Sequence, residues 1–542
     1  MNKTIRKLLY MILTLLFCLL LPLTALTAGK EIIILHTNDI HCGVSDNLHL
    51  EKVSQYKKDL QQEGFPVALV DAGDAIQGTP LGKLSNGESI IKIMNAAGYD
   101  FVIPGNHEFD YGMGQFLKLA SQLKCGFYCA NLTDLKTGRL VFKPYKIIRL
   151  GDKKIGFVGV TTPQTLTSST PKYFQDKNGN FIYGFMEDNN GEKLYKAVQD
   201  AVDNARYDGA DYVFLVGHLG CNGSLPRWNS STVAANTYNI DAVIDGHSHE
   251  QYVPPHKITN KAGKDVTVVQ TGTKLQTLGQ IIIGTDGSLS FKLIRDLLPR
   301  DPKVAKVIAR ENKRFAAILN QPVGEALVEL TCDDPATGKR RVRSGETNLG
   351  DLVADAYRFV LNTDVSLVNG GSIRKTIKPG VFSYNDLLEA FPFINMCTVV
   401  EATGQQIADA LEVGAVNYPE ESGGFLHVSG MSYAIDSRIP SGVVKDAKGN
   451  FVRVNGERRI KDILISGKPI DLKKTYTVGG TSYILKDGGN GMVMFNGCNL
   501  LKDAIMTDVD AIMEYVQNHL NARIKEGYEN PYGAGRITVL TD

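Results

Sequence analysis

The chain lacks net charge: 59 basic residues face 58 acidic ones among 542. A balance this even excludes the broad positive field that holds a long polyanion, so no nucleic-acid polymer is expected as a partner and any anionic ligand is small and locally bound. Cysteine is sparse as well. Of eight, Cys18 lies in the apolar N-terminal run. The remainder are odd in number and scattered, which excludes a dense disulfide framework. Cys125 and Cys129 could pair in an oxidising compartment or sit as two small buried thiols. Beyond the first thirty or so residues no apolar run is long enough to span a bilayer. Internal repeats and low-complexity tracts are missing too, and nothing in the sequence speaks to an oligomeric state.

What is present begins with Lys3, Arg6 and Lys7, followed by LLYMILTLLFCLLLPLTALTA and then Lys30 and Glu31. This is the basic, apolar and cleavage order of a signal peptide over residues 1–28. Ala25 and Ala28 offer cleavage points, each with a Leu where a small residue is preferred. An uncleaved anchor is the alternative, against which Pro22 and the Thr residues around it weigh. The protein is therefore expected to be exported, to a periplasm or to the extracellular or cell-surface side. With 542 residues and 43% hydrophobic composition, the chain suits two or three domains with separate cores.

Through residues 29–298 one pattern recurs: a short apolar run, an abrupt change to polar residues and glycine, then a stretch of helical spacing. EIIIL, PVALV, FVI, KIGFVGV, DYVFLV and DAVI are buried strands of an α/β layer, whose sites gather beyond the carboxyl ends of the strands. Residues 299–320, charged and helix-forming, predict a linker helix, with a separate helix packed on the first domain as the plainer reading. From 321 to 542 helical stretches (NLGDLVADAYRFVL, GQQIADALEVGAV) mix with strand-like CTVVEAT and KTYTVGG, a second α/β domain.

The polar residues just after the apolar runs of the first domain include nearly all its metal-competent side chains: HTNDIH, DAGD, GNHEFD, GHLG and DGHSH. Asp39 and His41, Asp74, Asn106 and His107, His218, and His247 with His249 come from five strand ends. They offer oxygen and imidazole but no thiolate, which suits divalent ions of intermediate hardness such as zinc or manganese. Any one histidine alone reads as a hydrogen-bonded structural residue. Five of the ten histidines falling in these segments do not.

In this order the motifs resemble those of the calcineurin-type metallophosphoesterases, and the arrangement is similar to their 5'-nucleotidase branch. The resemblance implies a β-sandwich flanked by helices and two divalent ions. Asp39, His41 and His249 would hold one ion, Asn106, His218 and His247 the other, with Asp74 bridging; His249 stands where some relatives carry a different ligand such as Gln. His107 and Asp110 resemble the catalytic dyad of the family, Asp110 orienting the ring and favouring its protonated form; a helix cap is the plain reading of Asp110. Glu108 reads as structural, and His36, Asn38 and Asp71 as core or loop hydrogen-bonders. Asn131 reads either as a phosphate contact or as a turn residue.

The resemblance extends to the second domain, where RSGETNLGDLVADA, NGGSIR, GGFLHVSG and GGTSYILKDGGNGM are similar to substrate-binding segments. It implies that Phe425 and Tyr483 sandwich a base, an arrangement worth roughly 1–3 kcal/mol per base. Arg343 and Arg374 would meet phosphate oxygens, and Asn369 and His427 the base edge. Asn490 stands where relatives carry an Asp for the ribose hydroxyls, and the loop after Tyr483 is one residue longer. The expected activity is release of phosphate from nucleoside 5'-monophosphates. Hydrolysis of 2',3'-cyclic nucleotides or UDP-sugars is the nearest alternative, and a secreted nucleotide-binding protein without activity is the alternative of another class.

Overall fold

An apolar run without polar alternation is what a strand shows when both of its faces are covered. The computed structural model describes residues 29–221, 225–393, 395–503 and 505–541; the expected signal segment 1–28 lies outside them. In the first domain, β1 (Ile32–Thr37), β2 (Val67–Asp71) and β3 (Phe101–Val102) run parallel, and Leu278–Ile283 and Leu289–Ile294 complete the five-stranded sheet on the other side of β1. A six-stranded sheet places β4 (Lys153–Thr161), β5 (Tyr212–His218) and β6 (Ala242–Ile244) side by side in parallel.

The period-2 alternation of strand side chains sorts these residues into layers. Ile32 and Ile34 of β1 and Val70 of β2 meet Phe157, Phe214 and Ile244 between the sheets. Ile33, Leu35 and Leu69 face outward against helices Leu50–Gln62 and Glu88–Ala97. Val158, Leu215 and Val243 face helix Glu192–Tyr207 on the other side. His36 follows Ile32 and Ile34 in parity and is buried, and burial pushes its imidazole down to about 3. It is a neutral core residue.

Helix α1 (Pro302–Leu319) occupies the stretch expected to be helical. Asp301 caps it by accepting from the Lys303 N–H, with Pro302 in the first turn. Its Val304 and Ile308 belong to the first domain's core, and Glu311 accepts from the Ser89 hydroxyl at 2.9 Å. Its last residue, Leu319, packs against the core of the second domain. It is a packed helix of the first domain with its final turn at the junction.

In the second domain a five-stranded sheet runs in the order Leu426–Ser429, Val365–Asn369, Thr475–Thr481, Cys397–Thr403, Asn499–Lys502. Helix α2 (Asn348–Leu361) covers one face through Leu352, Val353 and Tyr357. Helix Gly404–Gly414 covers the other through Ile407 and Leu411. The two domains touch: Lys83 Nζ donates to the Phe393 carbonyl at 3.0 Å, and the Tyr483 hydroxyl donates to the Thr167 carbonyl at 3.0 Å. Cys125 and Cys129 are free thiols. No described helix is long and apolar enough to cross a membrane.

Candidate metal centre and substrate cleft

The turns that follow β1, β2 and β6 bend sharply enough to put side chains in unusual backbone states. Asp39, His41, Asp74, His247 and His249 all have positive φ, between 47° and 81°, a region that non-glycine residues occupy rarely and mostly where surroundings enforce it. Close packing of these turns requires glycine beside them. A Cβ at Gly105 would lie 2.2 Å from Asp74 Oδ1, and one at Gly73, which has φ of 90°, would lie 2.5 Å from the Gly105 nitrogen. Glu108 ties the same turns together by accepting from the backbone N–H groups of Asp74, Ala75 and Gly105.

Two groups of donor atoms result. Asp39, His41, Asp74 and His249 form one, and Asp74, His218 and His247 the other, with all donors in each group within 4.8 Å of one another. Asp74 belongs to both. The ring orientations are set from behind: His218 Nδ1 lies 2.8 Å from the Ala72 carbonyl and His41 Nδ1 3.0 Å from the Gln77 carbonyl, which leaves Nε2 of each facing the cluster. His41 Nε2 and His249 Nε2 are 3.0 Å apart, and His218 Nε2 is 3.1 Å from Asp74 Oδ2.

A cation fits this arrangement. Buried Asn106 Oδ1 has no hydrogen-bond partner among the described residues, a state that costs about 1–3 kcal/mol for a buried polar atom unless something else satisfies it. Although burial opposes it, His249 and His218 hold the Asp39 carboxyl at about 2. His218 and neighbouring imidazoles likewise hold Asp74 well below its ordinary value against burial. Two ionised carboxylates, an orphaned amide oxygen and outward-facing imidazole nitrogens, without thiolate, suit divalent ions of intermediate hardness.

His107 stands beside the cluster. Its N–H donates to Asp74 Oδ1 at 2.8 Å, and its Nδ1 lies 2.6 Å from Asp110 Oδ2. Burial alone would lower its pKa, but the Asp110 and Asp74 carboxylates outweigh burial and raise it. Ser169 fixes the other Asp110 oxygen at 2.9 Å. The remaining first-domain candidates are satisfied internally. Asn38 accepts from Thr271 and donates to the Gly272 carbonyl. Asp71 accepts from Thr37 and the Gly73 N–H. Asn131 is fully buried, bonding Thr161 and Phe185, so it adopts the structural role and not the phosphate contact.

A cleft of about 250 Å³ runs from Asp74, Asn106, His107, His247 and His249 to the second domain, where Arg343, Asn369, Arg374, Tyr483 and Asn490 line it. Two expected residues are elsewhere. Phe425 is 1% exposed and packs in the second domain's core. His427 is fully buried, with Nε2 2.9 Å from the Val342 carbonyl and its ring against Gly350 of α2. Neither lines the cleft: Phe425, just before the strand Leu426–Ser429, and His427 within it are both spent on packing. The structure therefore does not bring Phe425 and His427, expected to stack on a base and to read its edge, to the cleft with the other expected residues.

Phe393 lines the cleft instead, 5.6 Å from the His107 ring and 5.0 Å below the Arg374 guanidinium. Arg340, also in the lining, was missed; the basic run KRRVR was the signal that could have raised it. Among the described residues Arg343 Nε has no hydrogen-bond partner, and burial together with Arg374 and Arg340 pushes its pKa well down. Two guanidinium groups without partnering carboxylates in one cleft await an anion.

Comparison with known proteins agrees with this geometry. Residues 32–251 match the calcineurin-like phosphoesterase family, and residues 322–497 match the 5'-nucleotidase C-terminal domain. The chain is 24% identical to a 5'-nucleotidase of Vibrio parahaemolyticus over 92% of this chain and 90% of that one. It is 26% identical to the human 5'-nucleotidase over 97% and 94%. The crystal structure of a 5'-nucleotidase precursor from Thermus thermophilus superposes with a TM-score of 0.77 at 25% identity, covering 94% of this chain and 99% of that one. The chain thus belongs to the 5'-nucleotidase family, as a hydrolase that joins a calcineurin-like metallophosphoesterase domain to a 5'-nucleotidase C-terminal domain.

Proposed function

We propose that the protein is an exported dinuclear phosphohydrolase that releases phosphate from nucleoside 5'-monophosphates. The observation that carries this reading is the cleft itself, with two donor groups sharing Asp74 on one wall and the unpartnered Arg343 beside Arg374 on the other. Asp39, His41 and His249 would hold one divalent ion and Asn106, His218 and His247 the other. When bound, such a pair neutralises phosphoryl charge and lowers the pKa of an attacking water.

The chain's own residues do the rest. Arg343 and Arg374 hold phosphate oxygens through their planar forks. The imidazolium of His107, kept protonated by Asp110, sits over the phosphoryl group and stabilises charge as it develops. Tyr483 offers a stacking face, and Asn369 and Asn490 offer hydrogen bonds to the nucleoside. Because Asn490 brings no charge to the ribose hydroxyls, 2',3'-cyclic nucleotides and UDP-sugars stay in the substrate test.

That test measures phosphate release from AMP, a 2',3'-cyclic nucleotide and UDP-glucose by the metal-loaded protein, before and after chelation and restoration with manganese or zinc. Chelator-sensitive release, fastest from AMP, is the expected result. Two bound metals without release from any of the three would move the reading to another phosphoester; silence without bound metal would favour a nucleotide-binding protein without activity. Export is tested by N-terminal sequencing of the protein from the native cells' non-cytoplasmic fraction, where a start near residue 29 is expected.

A further inference from the structure

His41 and His218 are aimed by carbonyls behind their rings, but among the described residues no carbonyl accepts from the ring of His247 or His249. These two nonetheless have φ of 81° and 59°, states that persist only where the surroundings enforce them. Gln270 supplies that enforcement through the backbone. Its Nε2 donates to the Gly246 carbonyl at 3.0 Å and to the Tyr252 hydroxyl at 3.2 Å, and its Oε1 accepts from the Glu250 N–H at 2.8 Å. Ser248 Oγ lies 3.0 Å from Nε2 and 3.1 Å from Oε1. One carboxamide thus holds residues 246, 248, 250 and 252. The histidines between them serve the donor groups, His247 one and His249 the other.

The fold puts this side chain where it is needed. Gln270 is fully buried and directly follows the strand Asp265–Val269, which pairs in parallel with β6, Val269 beside Ile244. It therefore lies level with the start of the turn after β6. The residues that follow it reach the turn after β1, where the Thr273 hydroxyl and the Lys274 N–H donate to the Asp39 carbonyl at 2.9 Å and 2.8 Å. A single segment that supplies no ligand in either donor group ties together the turns bearing Asp39, His247 and His249.

We propose that Gln270 is a positioning residue that presents His247 and His249 as a pair, so that both ion positions are strengthened or weakened together. The proposal rests on the dinuclear reading of the centre. It is tested by titrating the metal-free full chain with Co2+ alone, whose visible absorption follows both occupancy and ligand geometry. The native chain should take up two equivalents. Gln270→Met should weaken the binding of both by about 10–100-fold, the usual loss when the support behind a metal ligand is removed, and should change the band shape at saturation.

Gln280→Met is the control for loss of a buried carboxamide as such. Gln280 is buried on the strand Leu278–Ile283 and accepts from the Tyr56 hydroxyl at 2.9 Å, so its replacement should leave Co2+ affinity and spectrum as in the native chain. Gln270→Asn keeps the carboxamide but draws it back by one methylene. It should show the same joint loss, and it carries the test if the Met variant does not fold. Native affinity for two Co2+ in either Gln270 variant would overturn the proposal. So would weakening of one ion with the other unchanged, or an equal loss in Gln280→Met. A native chain that takes up fewer than two equivalents would instead overturn the dinuclear reading, and the proposal with it.

Discussion

The two walls of the cleft are fixed by different means. On the first-domain wall, donors sit on short turns directly after buried parallel strands, and five of them are locked in left-handed backbone states. Glu108 braces the turns and carbonyls behind His41 and His218 set the rings. On the second-domain wall, side chains come from loops, from the end of the strand Val365–Asn369 and from the short helix Ser482–Leu485. There a single position decides whether a residue lines the cleft, as Tyr483 does, or is lost to the core, as Phe425 is. Backbone-anchored chemistry and loop-borne recognition are separated between domains, and the difference predicts how each wall fails.

The largest effect should come from the anchored wall. Asp74 belongs to both donor groups, so Asp74→Asn removes a ligand from each. Phosphate release is expected to fall roughly 10³-fold or more, the scale of losing a preorganised electrostatic group. The variant should also bind fewer than two ions per chain by elemental analysis. Retention of two ions with full activity would show that the wall is not a shared centre.

Next comes His107→Ala, which should lower kcat by roughly 10²–10⁴-fold, the range for a positioned proton-bearing group. Metal content should stay unchanged, because the side chain is not in either donor group. Asp110→Asn should cost less, on the order of tenfold, since Ser169 would still hold that side chain near the ring. If the two losses were equal in KM and absent in kcat, the pair would be a substrate clamp only.

The comparison is sharpest for the aromatic pair. Tyr483→Ala should raise KM by roughly 10–100-fold, matching the loss of about 1–3 kcal/mol of stacking, with little change in thermal midpoint. Phe425→Ala removes a side chain that is 1% exposed and should instead destabilise the second domain by about 3–5 kcal/mol. A KM effect from Phe425 as large as that from Tyr483, without loss of stability, would show that Phe425 meets the base and is not only a core residue.

This contrast also explains what was legible in the sequence. The donor segments could be read because a parallel strand buried on both faces announces itself as an unbroken apolar run, and its polar residues must then follow at its carboxyl end. HTNDIH, DAGD and DGHSH say where they will be without any knowledge of loops. GGFLHVSG says much less. In a strand as short as Leu426–Ser429, covered by helices on both sides, aromatic and imidazole groups suit either core or cleft, and only tertiary packing chooses. Phe393, in AFPF, and Arg340, in KRRVR, gave no periodic signal, because each reaches the cleft by way of a loop.

The smallest expected effect tests where the walls meet. Asp508, at the start of the helix Asp508–Glu514, is 1% exposed and accepts from Asn395 at 3.3 Å. Burial pushes its carboxyl up to about 6, against the pull of Lys83 from the first domain. Because the folded pKa lies above the ordinary value of 3.8, the folded state holds this proton more tightly than the unfolded chain does. No penalty exists below about pH 4, where both states are protonated. It grows as pH rises and is complete above about 6, at on the order of 3 kcal/mol. Asp508→Asn keeps an acceptor for the Val509 N–H and removes the charge. Its thermal midpoint should therefore exceed that of the native chain at pH 7.5 and match it near pH 4. An offset of the same size at both pH values would mean that packing, not the buried charge, sets the balance at this junction.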